Sequence, residues 1–169
     1  MMKIYDMVVQ ALLGAILLVV QVALAPLPNI ELVSILILVY TLTFGLKALA
    51  SIYVFVIIEG LIYGFGIWWI HYLYIWTILW AAVMLLKPMG SWIFWTLLLG
   101  IYGFCFGALC AIPYLFVGGL GAALAYWISG IPYDIFHCLG NVVAGAVLFK
   151  PLMFCMGKLN QIQRKSRTF

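Results

Sequence analysis

Three polar residues recur at helical spacing within an apolar stretch near the end of the chain. Asp134, His137 and Asn141 stand at i, i+3 and i+7, so a helix would place all three on one face. A carboxylate, an imidazole and an amide on one face can accept and donate hydrogen bonds to the same solute. The spacing therefore predicts a polar stripe that faces the interior of the fold.

Other polar and aromatic side chains are candidates for the same site. Each of them lies in an otherwise apolar stretch of the sequence. They are Asn29, Glu31, Glu59, Tyr63, His71 and Trp127. Glu59 precedes Tyr63 by about one turn, and Gly60 would let a neighbouring helix or a ligand approach closely. Two simpler interpretations stay open: Glu31 caps a helix, and Glu59 bonds to His137 or to a tyrosine hydroxyl inside the fold.

The candidates bring together up to three carboxylates, two imidazoles and two amides, with many aromatic rings nearby. Rings stack on a flat solute and carboxylates accept its hydrogen bonds, which favours a neutral or cationic nitrogen heterocycle. The segments that carry the candidates are predicted to lie on a side of the fold without lysine or arginine. A phosphorylated or polyanionic solute therefore fits this pattern badly.

Motifs of the common catalytic and metal sites are missing from the sequence. The serines lie in no G-x-S-x-G motif and the histidines in no H-E-x-x-H motif. There is no glycine-rich phosphate-binding loop, so any ATP hydrolysis would belong to a partner. The four cysteines match no metal or redox spacing and are predicted to be small buried apolar side chains. We expect no catalytic residue, metal or cofactor in this chain.

The elements that must position the candidates are predicted to be membrane helices. Hydrophobic residues make up 69% of the 169 and charged residues 7%, against about a quarter charged in soluble domains. Continuous apolar runs of about 20 residues favour helices over a barrel. Proline, glycine and charge divide the chain into six transmembrane helices of one all-α membrane domain: 2–25, 30–46, 48–66, 69–87, 91–117 and 132–157.

Two segments have more than one interpretation. The apolar run after Lys3 resembles a signal peptide with a small-residue cleavage site, but Asp6 weakens that pattern, and we assign the run to the first helix. Residues 118–131 form the longest predicted loop, which is apolar and is expected to fold back as a lid or a shallow interfacial helix. Pro132 is predicted to occupy the first turn of the last helix.

Basic residues predict the orientation in the membrane. All eight lie before the first helix, between the second and third, between the fourth and fifth, or near the C-terminus: Lys3, Lys47, Lys87, Lys150, Lys158, Arg164, Lys165 and Arg167. Because short cytoplasmic loops collect lysine and arginine, both termini are predicted to lie inside the cell. The candidate site then lies in the outer half of the bilayer.

A set of short motifs accompanies the predicted helices. They are Ala11-x-x-x-Ala15, the run Pro28-Asn29-Ile30-Glu31-Leu32-Val33-Ser34, the run Gly130-Ile131-Pro132-Tyr133-Asp134 with His137 and Asn141, and Lys150-Pro151-Leu152. The A-x-x-x-A pattern alone is common in membrane helices. With six helices in 169 residues, the combination resembles the substrate-binding S component of an energy-coupling factor (ECF) vitamin transporter.

The resemblance implies a small protein of the prokaryotic plasma membrane that captures one micronutrient outside the cell. It implies a transmembrane coupling (T) subunit and two ATPase subunits as partners, with Ala11 and Ala15 in contact with the coupling subunit. The substrate would lie between the first loop and helices four to six, and transport would involve toppling of the protein in the membrane. Thiamine and its pyrimidine precursors, pterins, deazapurine precursors of queuosine, and flavins all stay open as substrates.

Three other functions stay open. A structural or assembly membrane protein would use its polar residues only to hold helices together. An intramembrane enzyme would use His71, His137 and the carboxylates on a lipid, without ATPase partners. A free-standing secondary transporter would typically show inverted repeats, which are not evident in the sequence.

Overall fold

The computed structural model describes residues 3–165, and the regular structure in that range is helical throughout. Its elements, in chain order, are α1 (Ile4–Leu24), α2 (Val33–Phe44), a 3-10 turn (Gly45–Lys47), α3 (Ala48–Tyr63), α4 (Ile67–Leu86), a 3-10 turn (Lys87–Met89), α5 (Trp92–Cys110) and α6 (Ile112–Lys165). The predicted all-α class is confirmed. Met2, the first residue of the predicted helix 2–25, lies outside the described residues. So does Arg167, one of the eight basic residues used to predict the orientation.

Five segments of the described range are long and apolar enough to cross a membrane: Ile4–Leu24, Val33–Tyr63, Ile67–Met89, Trp92–Cys110 and Ile112–Ile162. In length and composition they match a helical membrane protein. The segment Val33–Tyr63 contains two helices of 12 and 16 residues. Each of these is shorter than the about 20 residues that usually cross the hydrocarbon core.

Contacts between α1 and α3 determine the direction of the first three helices. Lys47 Nζ lies 3.0 Å from Asp6 Oδ2, and Ser51 Oγ donates a hydrogen bond to Gln10 Oε1 at 2.6 Å. The contact partners advance in the same direction along both helices, so α1 and α3 run parallel. Because α2 connects the far end of α1 to the Lys47 end of α3, α2 runs against both.

The centre of the bundle is α2. It packs on α1, α3, α4 and α6, and its residues from Val33 to Thr41 are all buried. Since other helices surround it, α2 is apolar around nearly its whole circumference. Its first turn lies at the end of the bundle that holds the candidate site.

Two glycines on α5 bring α6 into close contact. A side-chain carbon at Gly103 would lie 2.9 Å from the backbone of His137, and one at Gly107 would overlap the Asp134 carboxylate. Small residues allow membrane helices to approach in this way. The α5–α6 contact therefore depends on the absence of side chains at both positions.

The end of α5 is explained by a proline that follows it. Pro113 has no N–H to donate to the carbonyl four residues earlier, which belongs to Leu109. The Leu109 carbonyl instead accepts a hydrogen bond from the Tyr74 hydroxyl at 2.7 Å. The helix predicted over 91–117 is thus interrupted after Cys110.

The chain reverses direction at Gly119, within α6. This residue has φ 71° and ψ −172°, which lie outside the helical region, and the rings of Tyr114 and Tyr126 on its two sides stack with centroids 4.3 Å apart. The helical parts before and after Gly119 therefore pack together as a hairpin. We call them the first arm and the second arm of α6.

This hairpin corrects two predictions about the end of the chain. Residues 118–131 are helical except at Gly119, so they are not a loop, and of the two expected forms the helix is the one that agrees with the structure. Pro132 lies in the interior of the second arm and not in the first turn of a helix. The predicted last helix, 132–157, is therefore too short at both ends.

The outer surface of the helices is apolar. Leu12, Leu85 and Phe116 are 61%, 80% and 86% exposed, as expected of side chains that contact lipid rather than water. Cys105 and Cys155 also lie on this surface, so the predicted burial of all four cysteines is wrong for these two.

Candidate binding site

A cavity of about 310 Å³ opens at the end of the bundle where α2 begins. The segment between α1 and α2 forms one wall, and α4, α5 and α6 form the others. Its lining residues are Gln21, Leu24, Ala25, Leu27, Pro28, Asn29, Ile30, Glu31, Tyr72, Trp76, Phe106 and His137. We call it the first cavity.

The polar wall of the first cavity is built around Glu31. Its Oε2 accepts a hydrogen bond from the Ser34 backbone N–H at 2.8 Å, which satisfies a free donor at the start of α2. Its Oε1 lies 3.1 Å from His137 Nε2 on α6. The proposed capping role of Glu31 is thus present, and the same carboxylate also meets the polar stripe of α6.

His137 is held on three sides. It is 3% exposed, its ring lies 4.7 Å from the ring of Phe106, and its backbone packs on Gly103. One ring nitrogen, Nε2, contacts Glu31, whereas Nδ1 has no hydrogen-bond partner within the described residues. A buried polar atom without a partner costs about 1–3 kcal/mol in an apolar environment.

Aromatic rings form the opposite wall of the first cavity. Tyr72 and Trp76 are one turn apart on α4 with ring centroids 5.4 Å apart, and Trp76 lies 5.8 Å from Phe106. The Gln21 side-chain amide donates to the Tyr72 hydroxyl at 3.0 Å. The Trp76 indole N–H has no hydrogen-bond partner among the described residues. The wall can therefore pack against the rings of a planar ligand.

Four residues that line the first cavity were not predicted from the sequence. Gln21, Tyr72, Trp76 and Phe106 were not among the candidates, although Gln21 is a polar residue inside an apolar helix. Tyr72 and Trp76 stand at i and i+4 on one helix face, a spacing that also fits ordinary aromatic packing. The sequence holds no signal that separates cavity-lining rings from packed rings.

A second cavity of about 320 Å³ lies beside the first. It is lined by Asn29, Phe106, Gly107, Cys110, Tyr126, Ser129, Gly130, Tyr133 and Asp134. Asn29 and Phe106 line both cavities. Asn29 adopts a left-handed backbone conformation with φ 55°, which is uncommon outside glycine. It stands at the tight turn that carries the chain between the two cavities.

Asp134 is the charged residue of the second cavity. It is 2% exposed, and its Oδ1 accepts the Gly107 backbone N–H at 2.9 Å. Its Oδ2 has no hydrogen-bond partner in the part of the chain that the structure describes. Asn141, two turns further along α6, donates to the Leu99 carbonyl at 3.2 Å and holds α5 against α6. The predicted inward orientation of the stripe is confirmed, since all three of its residues are buried.

Besides Asn141, four candidates line neither of the two cavities. Glu59 is 4% exposed on α3, and Tyr63 at the end of that helix is 55% exposed. His71 is buried near the ring of Tyr114, with centroids 6.1 Å apart. Trp127 lines a separate apolar cavity between the two arms of α6. The structure thus brings Asn29, Glu31, Asp134 and His137 together at the site, and it places these four residues elsewhere.

The two alanines expected to contact a coupling subunit lie on α1. Ala11 is exposed and Ala15 is half-buried, whereas Leu13 and Gly14 on the other side of the helix are buried. Ala11 therefore lies on the outer surface, where another membrane helix could approach it.

Two carboxyl groups and one imidazole are the side chains of the described site that can carry charge near neutral pH. Glu31 and Asp134 line the two cavities, and among the described residues no lysine or arginine does so. No group of three histidine, cysteine, aspartate or glutamate side chains within the described residues is arranged to hold a metal ion. The arrangement can accept hydrogen bonds from a donor-rich or positively charged solute and can stack on its rings.

Comparison of the chain with known protein families, with curated proteins and with solved structures finds no match.

Proposed function

We propose that the chain is the substrate-capturing S component of an ECF-type importer of the prokaryotic plasma membrane. It binds a neutral or cationic nitrogen heterocycle, of the kind found in vitamins, from outside the cell. A coupling subunit and two ATPases then drive the delivery of the substrate. The proposal rests on the sequence motifs that resemble this family and on the chemistry of the first cavity.

The observation that carries the proposal is the pairing of Glu31 and His137 opposite an aromatic wall. A planar heterocycle in the first cavity would lie against these rings, with its ring nitrogens or amino groups beside this pair. The volume of about 310 Å³ lies at the lower end of the about 300–1,000 Å³ typical of small-molecule sites. The site therefore suits a compact ligand of one or two rings.

The proposed topology has six crossings with both termini inside. It is supported by the direction of α2, which runs against α1 and α3, so that the segment Val33–Tyr63 would cross twice. Lys47 and Lys87 then lie at the same end of the bundle, opposite the two cavities, in agreement with the distribution of basic residues.

The proposal is tested by analysing small molecules released from the detergent-purified protein by mass spectrometry. Each compound found is then titrated back while tryptophan fluorescence is recorded. Trp76→Phe is expected to remove most of the fluorescence change because this ring lines the cavity, whereas Trp92→Phe at the start of α5 should retain it. A bound heterocycle in equimolar amount supports the proposal.

A protein without a bound ligand would favour a different function. A protein that carries no small molecule and shows no fluorescence response to the candidate vitamins would contradict capture. The polar residues would then act only in helix contacts, as Asn141 does with Leu99, and the structural or assembly function would be favoured.

A further inference from the structure

We infer that the two cavities are halves of one binding site and that its ligand has two parts: a heterocycle in the first cavity and an arm with a positively charged amine in the second. The inference rests on the proposed function and narrows its substrate class. Its evidence is the environment of Asp134 and the two residues that line both cavities, Asn29 and Phe106.

Asp134 is a buried hydrogen-bond acceptor that the fold holds in a fixed position. The carboxylate is 2% exposed, and one oxygen is held in place by the Gly107 N–H at 2.9 Å. The other oxygen lacks a hydrogen-bond partner within residues 3–165 and belongs to a residue that lines the second cavity. A side chain at position 107 would collide with this carboxylate, so the glycine leaves room for it. A buried carboxylate in this position requires a donor, and an ammonium group supplies one together with the opposite charge.

The walls of the second cavity suit the same group. The rings of Phe106, Tyr126 and Tyr133 line it, and aromatic faces attract cations. Ser129 lines it too, but its hydroxyl already donates to the Tyr126 carbonyl at 2.9 Å. A positively charged amine would therefore bond to Asp134 and lie among aromatic rings, whereas an anion would meet a carboxylate in a cavity that no lysine or arginine of the described residues lines.

The separation of the two halves is set by one turn of helix. Asp134 lines the second cavity and His137 lines the first, and residues at i and i+3 have Cβ atoms about 5–6 Å apart. Asn29 and Phe106 line both cavities at their boundary. A ligand that spans this boundary needs an arm of about two carbon atoms between its ring and its amine.

The inference is tested with three probes and the full-length purified protein. The probes are 2-aminopyrimidine, the same ring with a 5-propyl arm, and the same ring with a 5-(2-aminoethyl) arm. The propyl and aminoethyl arms match in size and differ in charge. Dissociation constants are measured by fluorescence or calorimetry at neutral pH.

We expect the aminoethyl probe to bind at least about tenfold more tightly than the propyl probe, because it forms a charge-assisted hydrogen bond with Asp134. Asp134→Asn should reduce this ratio to about twofold or less and weaken 2-aminopyrimidine less than it weakens the aminoethyl probe. The asparagine oxygen can still accept the Gly107 N–H, so the fold should persist.

A second variant tests the cavity independently of that carboxylate. Gly130 lines the second cavity, and no atom lies within 4 Å of a side-chain carbon placed there. Gly130→Leu should weaken both arm-bearing probes more than it weakens the bare ring. If the bare ring binds and the aminoethyl arm adds no affinity over the propyl arm, the two-part ligand is wrong and the proposed function stands. If none of the three probes binds, the inference fails together with the heterocycle site on which it rests.

Discussion

Glu31 makes two contacts, and replacing its carboxylate by a neutral amide would test them separately. One oxygen caps α2 at Ser34 and the other meets His137. We expect Glu31→Gln to retain the cap, because the amide oxygen can accept the same N–H, and to weaken binding of a cationic heterocycle by about tenfold to a hundredfold. Titration of the purified variant measures this loss, and its thermal unfolding should change little.

The matched control for this variant is Glu59→Gln. Glu59 is also a buried carboxylate, but it lies on α3 and outside the lining of both cavities within the described residues. Its replacement should leave the affinity within about twofold of wild type. Equal loss of binding in the two variants would show that the effect comes from general destabilisation and would contradict a specific role for Glu31.

At the residue scale, the stripe on α6 could be predicted because a helix repeats its faces with a fixed period. Asp134, His137 and Asn141 follow that period in an apolar context, and all three are buried. Their partners could not be predicted. Glu31 is distant from His137 in sequence, and that contact depends on how the helices pack, which no local pattern specifies.

At the element scale, the contact between α5 and α6 depends on Gly103. We expect Gly103→Ala to destabilise the protein by about 1–3 kcal/mol, because the added methyl group would lie 2.9 Å from the backbone of His137, which cannot move aside as a side chain would. Gly121→Ala is the control, since no atom lies within 4 Å there and alanine favours a helix. Thermal unfolding in detergent compares them, and equal melting temperatures would contradict the close contact.

The hydrogen bond from Tyr74 replaces one that Pro113 cannot make. We expect Tyr74→Phe to cost about 1–3 kcal/mol because the Leu109 carbonyl loses its hydroxyl donor in an apolar environment. Pro113→Ala in the same chain should recover part of this loss, since the new backbone N–H can bond to Leu109 and continue the helix. A double-mutant cycle of unfolding free energies measures the coupling, and strict additivity would contradict it.

Helix positions could be predicted well where residue types mark both ends. Gly45 with Lys47 separates α2 from α3, and the 3-10 turn Lys87–Met89 separates α4 from α5. The prediction failed around Pro132, because a proline can occupy either the first turn or the interior of a membrane helix. Residues 120–131 are rich in alanine and leucine, which favour the helix observed there.

At the scale of the whole molecule, the proposed orientation places the Gly119 turn outside the cell and the Lys87–Met89 turn inside. Val117 and Met89 are 74% and 61% exposed near these two turns. In a cysteine-free background, Val117→Cys should react with a membrane-impermeant maleimide in intact cells. Met89→Cys should react only after the membrane is permeabilised. The reverse pattern would contradict the proposed orientation.

The outer surface of α1 offers a test of the proposed partners. Ala11 is exposed and lies outside the lining of both cavities among the described residues, so Ala11→Leu should leave ligand affinity unchanged. The larger side chain should prevent close approach of a coupling helix and reduce ATP-dependent uptake by about tenfold or more. Val19→Leu on the same surface, where the side chain is already large and 64% exposed, is the control. Normal uptake by Ala11→Leu would exclude this contact. Loss of ligand binding in that variant would instead show that α1 supports the cavity. Measuring affinity and uptake on the same preparation distinguishes a lost subunit contact from a lost binding site.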